Sequence, residues 1–289
     1  MKKNIVALVT LYHPDPAVTT NMEMLSKQVS TILLLDNTPN TNNSKLFEKI
    51  ENSQYYANYK NLGLSVAFNN GLRHNSAKNS DYIIFFDQDS QVTDNLINSL
   101  IIDFERTNAH NKVGCVGPLY HEKNSNEKKV PNDKLPVLAN IYSVKNVITS
   151  SMLTKYEILD EIGFWNEKIF LDLADWDLCW RLRQHGYMVC LSLNAILNHT
   201  LGSSVKKILF LKIRQSNSIR EYYGIRDSIK LFSMPYTPFK YKLRFIITWT
   251  LMPAVYLTFL PKRIKRYQHI VRGYIDGLKG INGEFGGRV

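Results

Sequence analysis

The apolar positions in the first 120 residues form short, nearly continuous runs rich in Val, Ile and Leu. Three such runs lie at residues 4–11, 31–35 and 82–86. Each is five to eight residues long, a length typical of a buried strand, so each predicts one. The second run is followed by Asp36-Asn37-Thr38-Pro39, in which Asn and Pro are residues that end a strand. The N-terminal half of the chain therefore contains several buried strands.

Between these runs the apolar residues recur every three or four positions, the spacing of one helix face. The first set, which follows the first strand, is Val18, Met22, Leu25 and Val29. The second set is Leu96, Leu100 and Phe104, and it predicts a helix over residues 94–106 with Thr93 as its N-cap. Strands that alternate with helices predict an α/β fold with a mostly parallel sheet and helices on both faces.

The C-terminal third of the chain has a different pattern. Residues 121–136 are polar and aperiodic and predict an exposed loop, whereas residues 203–233 are basic and helical in pattern. Residues 245–260 carry no charge, but this run is shorter than the roughly 20 residues that a membrane span needs, and Pro253 interrupts it. Residues 261–280 predict a basic amphipathic helix, whose apolar positions are Ile264, Tyr267, Val271, Tyr274 and Leu278.

The three cysteines form no CxxC pair and their number is odd. A disulfide framework or a structural zinc site is therefore not expected, and a reducing compartment is favoured. The N-terminus is basic, but the apolar run that follows is short and reaches His13 and Pro14, which indicates a first strand and not a signal peptide.

The formal net charge of +11 is concentrated at one end of the chain. Residues 201–289 contain 17 Lys and Arg against 4 Asp and Glu, while the preceding 200 residues are slightly acidic. This asymmetry predicts an anionic partner for the C-terminal segment. Because the basic residues are interleaved with long apolar runs, a membrane surface is a better candidate than nucleic acid.

Two acidic clusters lie far apart in the sequence, each beside apolar residues. In FFDQDS, Asp87 and Asp89 follow a strand and could close on one divalent cation, although an acidic turn would explain them equally simply. In LDLADWDLCWRL, the spacing of Asp177 and Arg181 predicts an ion pair on a helix. Asp175 is surrounded by apolar residues that would raise its proton affinity and make it a general base.

Other candidate positions have both a structural and a functional interpretation. Asp36, at a strand end, could accept a hydrogen bond from a nucleobase or simply form a turn. The stretch NLGLSVAFNNGL at residues 61–72 is either a ligand-contacting turn or a glycine-assisted turn before a packed helix. A lone His such as His199 is more often structural. The three tryptophans Trp165, Trp176 and Trp180 are more typical of core and pocket walls than of specific contacts.

Taken in order, the segments LVTLYHPD, ILLLDN, NLGLSVAFNNG, FFDQD, DEIGFWNEKIFLDLADWDLCWRLRQHGY and NHTLGSS resemble those of family 2 glycosyltransferases, in particular the bacterial rhamnosyltransferases of surface-polysaccharide assembly. The resemblance covers roughly residues 4–205. It implies a GT-A fold, with a Rossmann-like, mostly parallel sheet. It also implies a nucleotide-diphosphate-sugar donor, a divalent metal (Mn²⁺ or Mg²⁺) and inversion at the anomeric carbon.

The resemblance assigns roles by position. Asp36 resembles the acid that reads the nucleobase, Asp175 the catalytic base, and Asp87, Asp89 and His199 the metal ligands. Many relatives have Glu directly before the base, where this chain has Ala174. The residues implied to contact the donor are Thr10, Tyr12, Asp36, Asn61, Gly63, Asn69, Asp87, Gln88 and Trp176.

The expected organisation is a GT-A donor-binding and catalytic domain over residues 1–205 and a helical, basic, amphipathic region over residues 206–289. The expected reaction is metal-dependent transfer of a sugar, L-rhamnose from dTDP-rhamnose, to a lipid-linked saccharide at the cytoplasmic face of the membrane, with peripheral attachment to an anionic surface and no nucleic-acid partner. The oligomeric state is left open.

The alternatives are galactofuranosyl or hexosyl transfer on the same fold and a non-catalytic membrane scaffold. A pyrophosphorylase or a dehydrogenase would need glycines after the first strand, where residues 12–16 have none.

Overall fold

The computed structural model describes residues 3–122, 127–131, 133–199, 205–208, 211–214 and 217–286. For residues 121–122, 127–129, 198–199, 205–208 and 211–214 only the backbone is described. One mixed sheet contains the strands β1 (Ile5–Leu11), β2 (Thr31–Asp36), β3 (Ser53–Ala57), β4 (Tyr82–Asp87), β5 (Val113–Glu122), β6 (Glu127–Lys129), β7 (Leu135–Leu138), β8 (Ile141–Ser143), β9 (Met152–Thr154) and β10 (Met188–His199). The helices are α1 (Val18–Ser26), α2 (Leu64–Leu72), α3 (Asn75–Lys78), α4 (Leu96–Asn108), α5 (Tyr156–Ile162), α6 (Ala174–Gln184), α7 (Ser218–Phe232), α8 (Phe239–Thr250), α9 (Met252–Phe259) and α10 (Arg263–Leu278).

The sheet is parallel in its N-terminal half. Its order is β3-β2-β1-β4-β9-β5-β10-β8-β7, with β6 paired to β5. Strands β1 to β4 run parallel, as do β5 and β10, and the short strand β9 lies antiparallel between β4 and β5. The chain adds β2 and β3 on one side of β1 and then β4 on the other, so the strand order reverses at β1. In open α/β sheets a ligand crevice forms at the carboxyl ends of the strands at such a point.

The hydrophobic core lies on both faces of this sheet, as the continuous apolar runs predict. Along β1, β2 and β4 nearly every side chain is buried, including all four residues of ILLL before Asp36. Parallel strands covered by helices on both faces bury both sets of alternating side chains, so their sequences are uniformly apolar. The three predicted strands are therefore confirmed, and so is the α/β class.

Helix α4 begins two residues later than predicted. Thr93 does not cap it, because its hydroxyl donates to Ile196 O at 3.2 Å and its carbonyl accepts from Gln28 Nε2 at 2.9 Å. The residue before the helix is Asn95, in a left-handed conformation with φ 60°. The tertiary contacts of Thr93 thus take precedence over its capping propensity.

Two further expectations about local structure are wrong in part. Residues 121–136 do not form a single loop, because β5 extends to Glu122 and pairs with β6. The predicted helix over residues 203–233 begins only at Ser218, and before it β11 (Val205–Ile208) pairs with β12 (Leu211–Arg214) as an antiparallel hairpin. Strand pairing uses backbone groups, so basic or polar side chains do not prevent it. Residues 123–126, 132, 203–204, 209–210 and 215–216 lie outside the described part of the chain.

The C-terminal helices pack on α7 through close backbone contact. A Cβ atom on Gly273 of α10 would lie 2.9 Å from Tyr222 O, and one on Gly277 would lie 3.1 Å from Arg226 O, so only glycine allows the two helices to approach this closely. The buried face of α10 also carries Arg266, which donates to Glu221 of α7. Within the described residues, no helix is both long and apolar enough to cross a bilayer.

A cluster of buried charges joins α7 to the segment that precedes α6. Asp227 is 1% exposed and accepts from Arg226 Nε at 2.7 Å, from Lys230 Nζ at 3.3 Å and from the backbone N–H of Phe170 at 2.9 Å. Lys230 also donates to Lys168 O at 2.9 Å. The residues after 205 are therefore part of the support for the segment that contains Asp172 and Asp175.

Loss of Asp227 should destabilise the protein strongly. Asp227→Ala leaves two buried cations without their carboxylate, which costs about 3–5 kcal/mol of unfolding free energy. Asp160→Ala, which removes an exposed carboxylate on α5, should change it by no more than about 0.5 kcal/mol. Urea titrations followed by circular dichroism measure both changes, and equal changes in the two variants would show that the buried cluster does not support the fold.

Candidate active site

The predicted site residues gather at the carboxyl edge of the sheet, around the end of β1. The register places Leu11 beside Asp36 on one neighbouring strand and Thr10 beside Asp87 on the other. Asp36 and Asp87 are 51 residues apart in the sequence. The sheet topology therefore brings the first acidic cluster and Asp36 to one edge, as expected.

Tyr12 and Gln88 are held together across this edge. The N–H of Tyr12 donates to Gln88 Oε1 at 2.8 Å, and Gln88 Nε2 donates back to Tyr12 O at 3.1 Å. The ring of Tyr12 is 45% exposed and is thus available to a ligand. Gln88, between the two acids, fixes the backbone after β1 and orients Tyr12.

Asp36 is fully buried, and both of its carboxylate oxygens accept hydrogen bonds. Oδ1 accepts from the N–H of Thr38 at 2.8 Å, and Oδ2 accepts from Asn43 Nδ2 at 2.8 Å and from the Tyr55 hydroxyl at 2.6 Å. Burial, and then this bond to Asp36, raise the pKa of Tyr55. The expected contact of Asp36 with a nucleobase stays a prediction.

Beyond Asp36 an open cavity of about 420 Å³ lies at the ends of β2 and β3. Tyr55, which Asp36 holds, is part of its wall. The full lining is Leu35, Asn42, Tyr55, Tyr56, Ala57, Asn58, Tyr59, Asn70 and His74. Four aromatic rings and several amides are a suitable surface for a flat, hydrogen-bonding ring such as a nucleobase.

The turn before α2 needs glycine. Gly63 has φ +77°, and a Cβ there would lie 2.6 Å from Phe170 O. Its N–H donates to Asn61 Oδ1 at 3.1 Å, and the next N–H, of Leu64, donates to Phe170 O at 2.7 Å. Asn61 and Gly63 thus shape the start of α2 and connect it to the segment of the second acidic cluster.

Asn69 connects helix α2 to the segment after α5. It is 5% exposed, its Oδ1 accepts from the N–H of Trp165 at 3.0 Å, and its Nδ2 donates to Trp165 O at 2.9 Å and to Glu167 Oε1 at 2.9 Å. These bonds give the amide a structural role, and its expected contact with the donor stays a prediction.

Asp87 is oriented by a serine that the sequence pattern did not identify. Ser150 donates to Asp87 Oδ2 at 2.6 Å and accepts from the hydroxyl of Ser90 at 2.8 Å. Asp89, two residues further on, is exposed at the rim. Ser150 lies in a stretch without periodicity, just before β9, so only the fold places it beside Asp87.

Asp175, in the first turn of α6, has the electrostatic environment expected of a base. Removal of the carboxyl from bulk water raises the pKa of Asp175 to about 7, the N–H of Trp176 partly offsets this by donating at 2.8 Å, and the negative charges of Asp87 and Asp172 raise it further. The effect of Asp87 means that the two acidic clusters, 88 residues apart in sequence, lie close together in the fold.

Asp177 has a structural role, and the predicted ion pair is confirmed. Its carboxylate is fully buried, lies 2.7 Å from Arg181 Nε, and accepts from the Tyr236 hydroxyl at 2.7 Å and from Asn166 Nδ2 at 3.1 Å. These bonds hold the start of α6 against the segment after α7. They fix the direction in which Asp175, half a turn away, is presented.

Of the three tryptophans near the second cluster, two belong to the core. Trp165 and Trp180 are almost fully buried. Trp176 is partly exposed. The centroid of its ring lies 4.9 Å from that of Tyr241 and 5.0 Å from Cζ of the Arg244 guanidinium. The predicted donor contact of Trp176 stays a prediction, and its position connects the site to α8.

Arg220 of α7 is the residue that sequence reasoning missed most clearly. Its Nε lies 3.1 Å and 3.2 Å from the two oxygens of Asp172, and its charge also interacts with those of Asp87 and Asp89. It is thus a cation surrounded by acids from both clusters. Nothing in the local sequence marks it, because it lies in a basic segment whose charge pattern indicated a membrane surface.

The residues present fit a divalent cation that is shared with a bound diphosphate. Among the described side chains, no three His, Cys, Asp or Glu residues are grouped as a complete metal site. Asp87 and Asp89 supply two carboxylates, and a hard cation such as Mg²⁺ typically takes one or two carboxylates and completes its shell with substrate phosphates and water. The side chain of His199, the third predicted ligand, lies outside the described part of the chain, although its backbone ends β10 beside Glu122.

Comparison with solved structures supports the expected fold. The structure of S. aureus TarS 1-349 superposes with a TM-score of 0.55, is 11% identical, and is matched over 96% of this chain and 81% of that chain. The structure of GalNAc-T7 with UDP, GalNAc and Mn²⁺ gives a TM-score of 0.54 at 11% identity, over 90% of this chain and 58% of that one. At this identity the comparison concerns the fold alone. The expected GT-A fold is confirmed.

Comparison of sequences extends over the whole chain. The chain is 24% identical over its full length to the dTDP-rhamnosyl transferase RfbF of Shigella flexneri, of which it covers 99%. The sequence profile described as glycosyl transferase family 2 matches residues 16–163, just over half of the chain. The enzyme class that the resemblance implied is therefore confirmed, and the chain belongs to glycosyl transferase family 2.

Proposed function

We propose that this glycosyltransferase moves L-rhamnose from dTDP-rhamnose to a lipid-linked glycan with inversion at the anomeric carbon. The observation that carries the proposal is the carboxyl of Asp175, which has a raised pKa and lies close to Asp87 at the edge of the sheet. The choice of donor rests on the full-length similarity to a dTDP-rhamnosyl transferase. Galactofuranosyl or hexosyl transfer on the same fold is the alternative.

The two acidic clusters would act on opposite sides of the sugar. The cavity bordered by Tyr55 would hold the nucleobase, and the diphosphate would lie at Asp87 and Asp89, where a divalent cation, Mn²⁺ or Mg²⁺, neutralises the charge of the leaving group as a Lewis acid. Arg220, released from Asp172, would provide a second positive charge there. A guanidinium is well suited to bind phosphate oxygens.

Asp175 would receive the proton of the acceptor hydroxyl. A hydroxyl is a weak nucleophile until a base removes its proton, and a base with a pKa near the working pH does this most efficiently. With the pKa of Asp175 raised to about 7, the carboxylate is present at neutral pH and still has a high proton affinity. Attack from this side, with the diphosphate leaving from the other, inverts the anomeric centre.

A lipid-linked acceptor requires the enzyme to work at a membrane surface. We therefore include peripheral attachment to the anionic cytoplasmic face in the proposal. Its support is the excess of 17 basic over 4 acidic residues after residue 200 and the exposure of Phe239, Leu251, Ile264 and Leu278 on the C-terminal helices. Basic and apolar side chains together give reversible attachment to anionic lipid.

The donor and the metal can be tested with one panel of nucleotide sugars. Without acceptor, dTDP-rhamnose should be hydrolysed slowly and faster than UDP-glucose or UDP-galactofuranose, measured as released nucleotide. EDTA should stop the reaction, and Mn²⁺ or Mg²⁺ should restore it, because the diphosphate leaves poorly without charge neutralisation. A faster UDP-sugar would assign another donor, and full activity in EDTA would remove the metal from the mechanism.

Asp175→Asn should lower turnover by about 10²- to 10⁴-fold and leave the donor Kd nearly unchanged, because the amide keeps the shape and loses the proton affinity. Asp160→Asn, on the exposed face of α5, is the matched control and should retain full turnover. If Asp172→Asn proves more damaging than Asp175→Asn, the base is misassigned.

The pH dependence of kcat/KM should follow the ionisation of Asp175. A base acts only when deprotonated, so kcat/KM should rise with pH through an inflection near 7. Asp172→Asn removes one of the negative charges that raise this pKa, and the inflection should move to lower pH. An unchanged inflection in that variant would mean that another group controls the profile.

A further inference from the structure

A second cavity, larger than the one bordered by Tyr55, lies between the end of α9 and the start of α10. The residues that line it are far in sequence from those at the sheet edge. The cavity is open to solvent, has a volume of about 1130 Å³, and is lined by Lys262, Arg263 and Lys265. There is no Asp or Glu among its described lining residues. A concave surface with three cations and no carboxylate favours an anionic ligand.

The partial positive charge at the N-terminus of α10 is not balanced by a capping side chain or by an acidic residue of the first turn. Helix N-termini carry unsatisfied N–H groups and a partial positive charge, and a polar cap or acidic residues in the first turn normally offset both. Helix α10 has no side-chain cap and no acid in its first turn, which instead contains Arg263 and Lys265. A bound phosphate would supply the missing negative charge.

His269 forms part of the cavity wall. It is 6% exposed, its ring has a hydrogen bond to the backbone of Ser218 at the start of α7, and burial lowers its pKa. The positive charge that an anion would meet in the cavity therefore comes from Lys262, Arg263 and Lys265.

The surroundings of the cavity are apolar and exposed. Ile264 is 79% exposed, Tyr267 58% and Phe259 43%, and on α8 Phe239 is 82% exposed. Of the sixteen large hydrophobic side chains that are exposed in the described part of the chain, eleven lie between residues 239 and 285. A soluble phosphate would leave this surface in water, whereas a lipid bilayer would cover it.

We propose that the cavity between α9 and α10 binds the phosphate of an anionic phospholipid, with Ile264 and Phe259 inserted at the level of the acyl chains. The proposal deepens the proposed function, since it assigns the membrane contact to one site on the chain. Lys262, Arg263 and Lys265 bind the phosphate oxygens, and His269 completes the wall. The three basic side chains favour an anionic head group. The exposed apolar side chains favour a lipid in a bilayer over a free anion.

The test measures binding of the full-length protein to sedimenting vesicles, without donor or acceptor. Vesicles of phosphatidylcholine with phosphatidylglycerol should bind the protein, and vesicles of phosphatidylcholine alone should not. Each basic residue near an anionic surface contributes roughly fivefold in partitioning, so Lys262→Gln/Arg263→Gln/Lys265→Gln should weaken binding about 100-fold at low salt. The control Lys27→Gln/Lys49→Gln/Lys78→Gln removes the same charge from exposed sites elsewhere and should bind like the unaltered protein.

A second pair of variants tests the insertion of apolar side chains. Ile264→Asn should lower vesicle binding by about tenfold and leave a remainder that is abolished by high salt, because screening acts on charges and not on buried apolar area. Leu135→Asn, at a position of β7 that is 67% exposed, is the matched control and should bind normally. Equal behaviour of the two variants would contradict insertion at Ile264.

Three results would overturn the proposal. The first is equal binding by the two triple variants. The second is displacement of the protein from vesicles by millimolar inorganic phosphate, which would indicate a site for a soluble anion. The third is a change in molar mass by light scattering in the Lys262, Arg263 and Lys265 variant without loss of vesicle binding, which would indicate contact with a second copy. Donor hydrolysis in the absence of vesicles should be unchanged in that variant, so failure of the glycosyl transfer proposal is detected separately.

Discussion

The backbone of Phe170 is the point on which the geometry of the site depends. Its N–H donates to the buried carboxylate of Asp227, and its carbonyl accepts from the N–H of Leu64 at the start of α2. One residue thus joins the turn at Gly63, helix α7 and the segment that carries the second acidic cluster. Because buried backbone groups must keep their partners, none of the three can move independently without the loss of a hydrogen bond.

Buried charge is used in two different ways around this point. Asp227 and Asp177 are paired with cations and hydrogen-bond donors, and these interactions fix the segments on either side of Asp175. For Asp175 itself, burial and the neighbouring carboxylates of Asp87 and Asp172 raise the pKa to about 7. The same removal from water that requires Asp227 and Asp177 to be paired is what makes Asp175 a stronger base.

The sequence predicts the central strands well because the pattern that identifies each strand lies within the strand itself. The uniform apolar runs of β1, β2 and β4 follow from burial on both faces, and the acids that end them follow from the edge where parallel strands stop. Residues that act through distant partners have no such signal. Ser150 and Arg220 are identified only by the side chains that the fold brings to them, Asp87 and Asp172.

The same limit applies where the structure differs from the sequence pattern or adds to it. The Asn69 amide has its hydrogen bonds to the backbone of Trp165, 96 residues away, which no local pattern indicates. The predicted helix over residues 203–233 is replaced in part by the hairpin of β11 and β12, whose conformation is decided by pairing between the two strands. In α10 the predicted helix forms, and on its buried face Arg266 and Asp276 pair with Glu221 and Tyr222 of α7. Of the predicted apolar positions, Ile264, Tyr267 and Leu278 are exposed, whereas Val271 and Tyr274 are partly buried.

The C-terminal helices therefore support the candidate active site and also form the exposed surface that we propose contacts the membrane. Arg220 and Glu221 are adjacent on α7: the first binds Asp172 near Asp175, the proposed base, and the second binds the buried Arg266 of α10. Arg266 follows directly on Lys265, which lines the second cavity. Close packing at Gly273 and Gly277 leaves little freedom between α7 and α10. A bilayer bound at the start of α10 would thus lie at a fixed distance and orientation from Asp175. Such a fixed geometry is what an enzyme needs when its acceptor hydroxyl is presented at a constant height above the lipid.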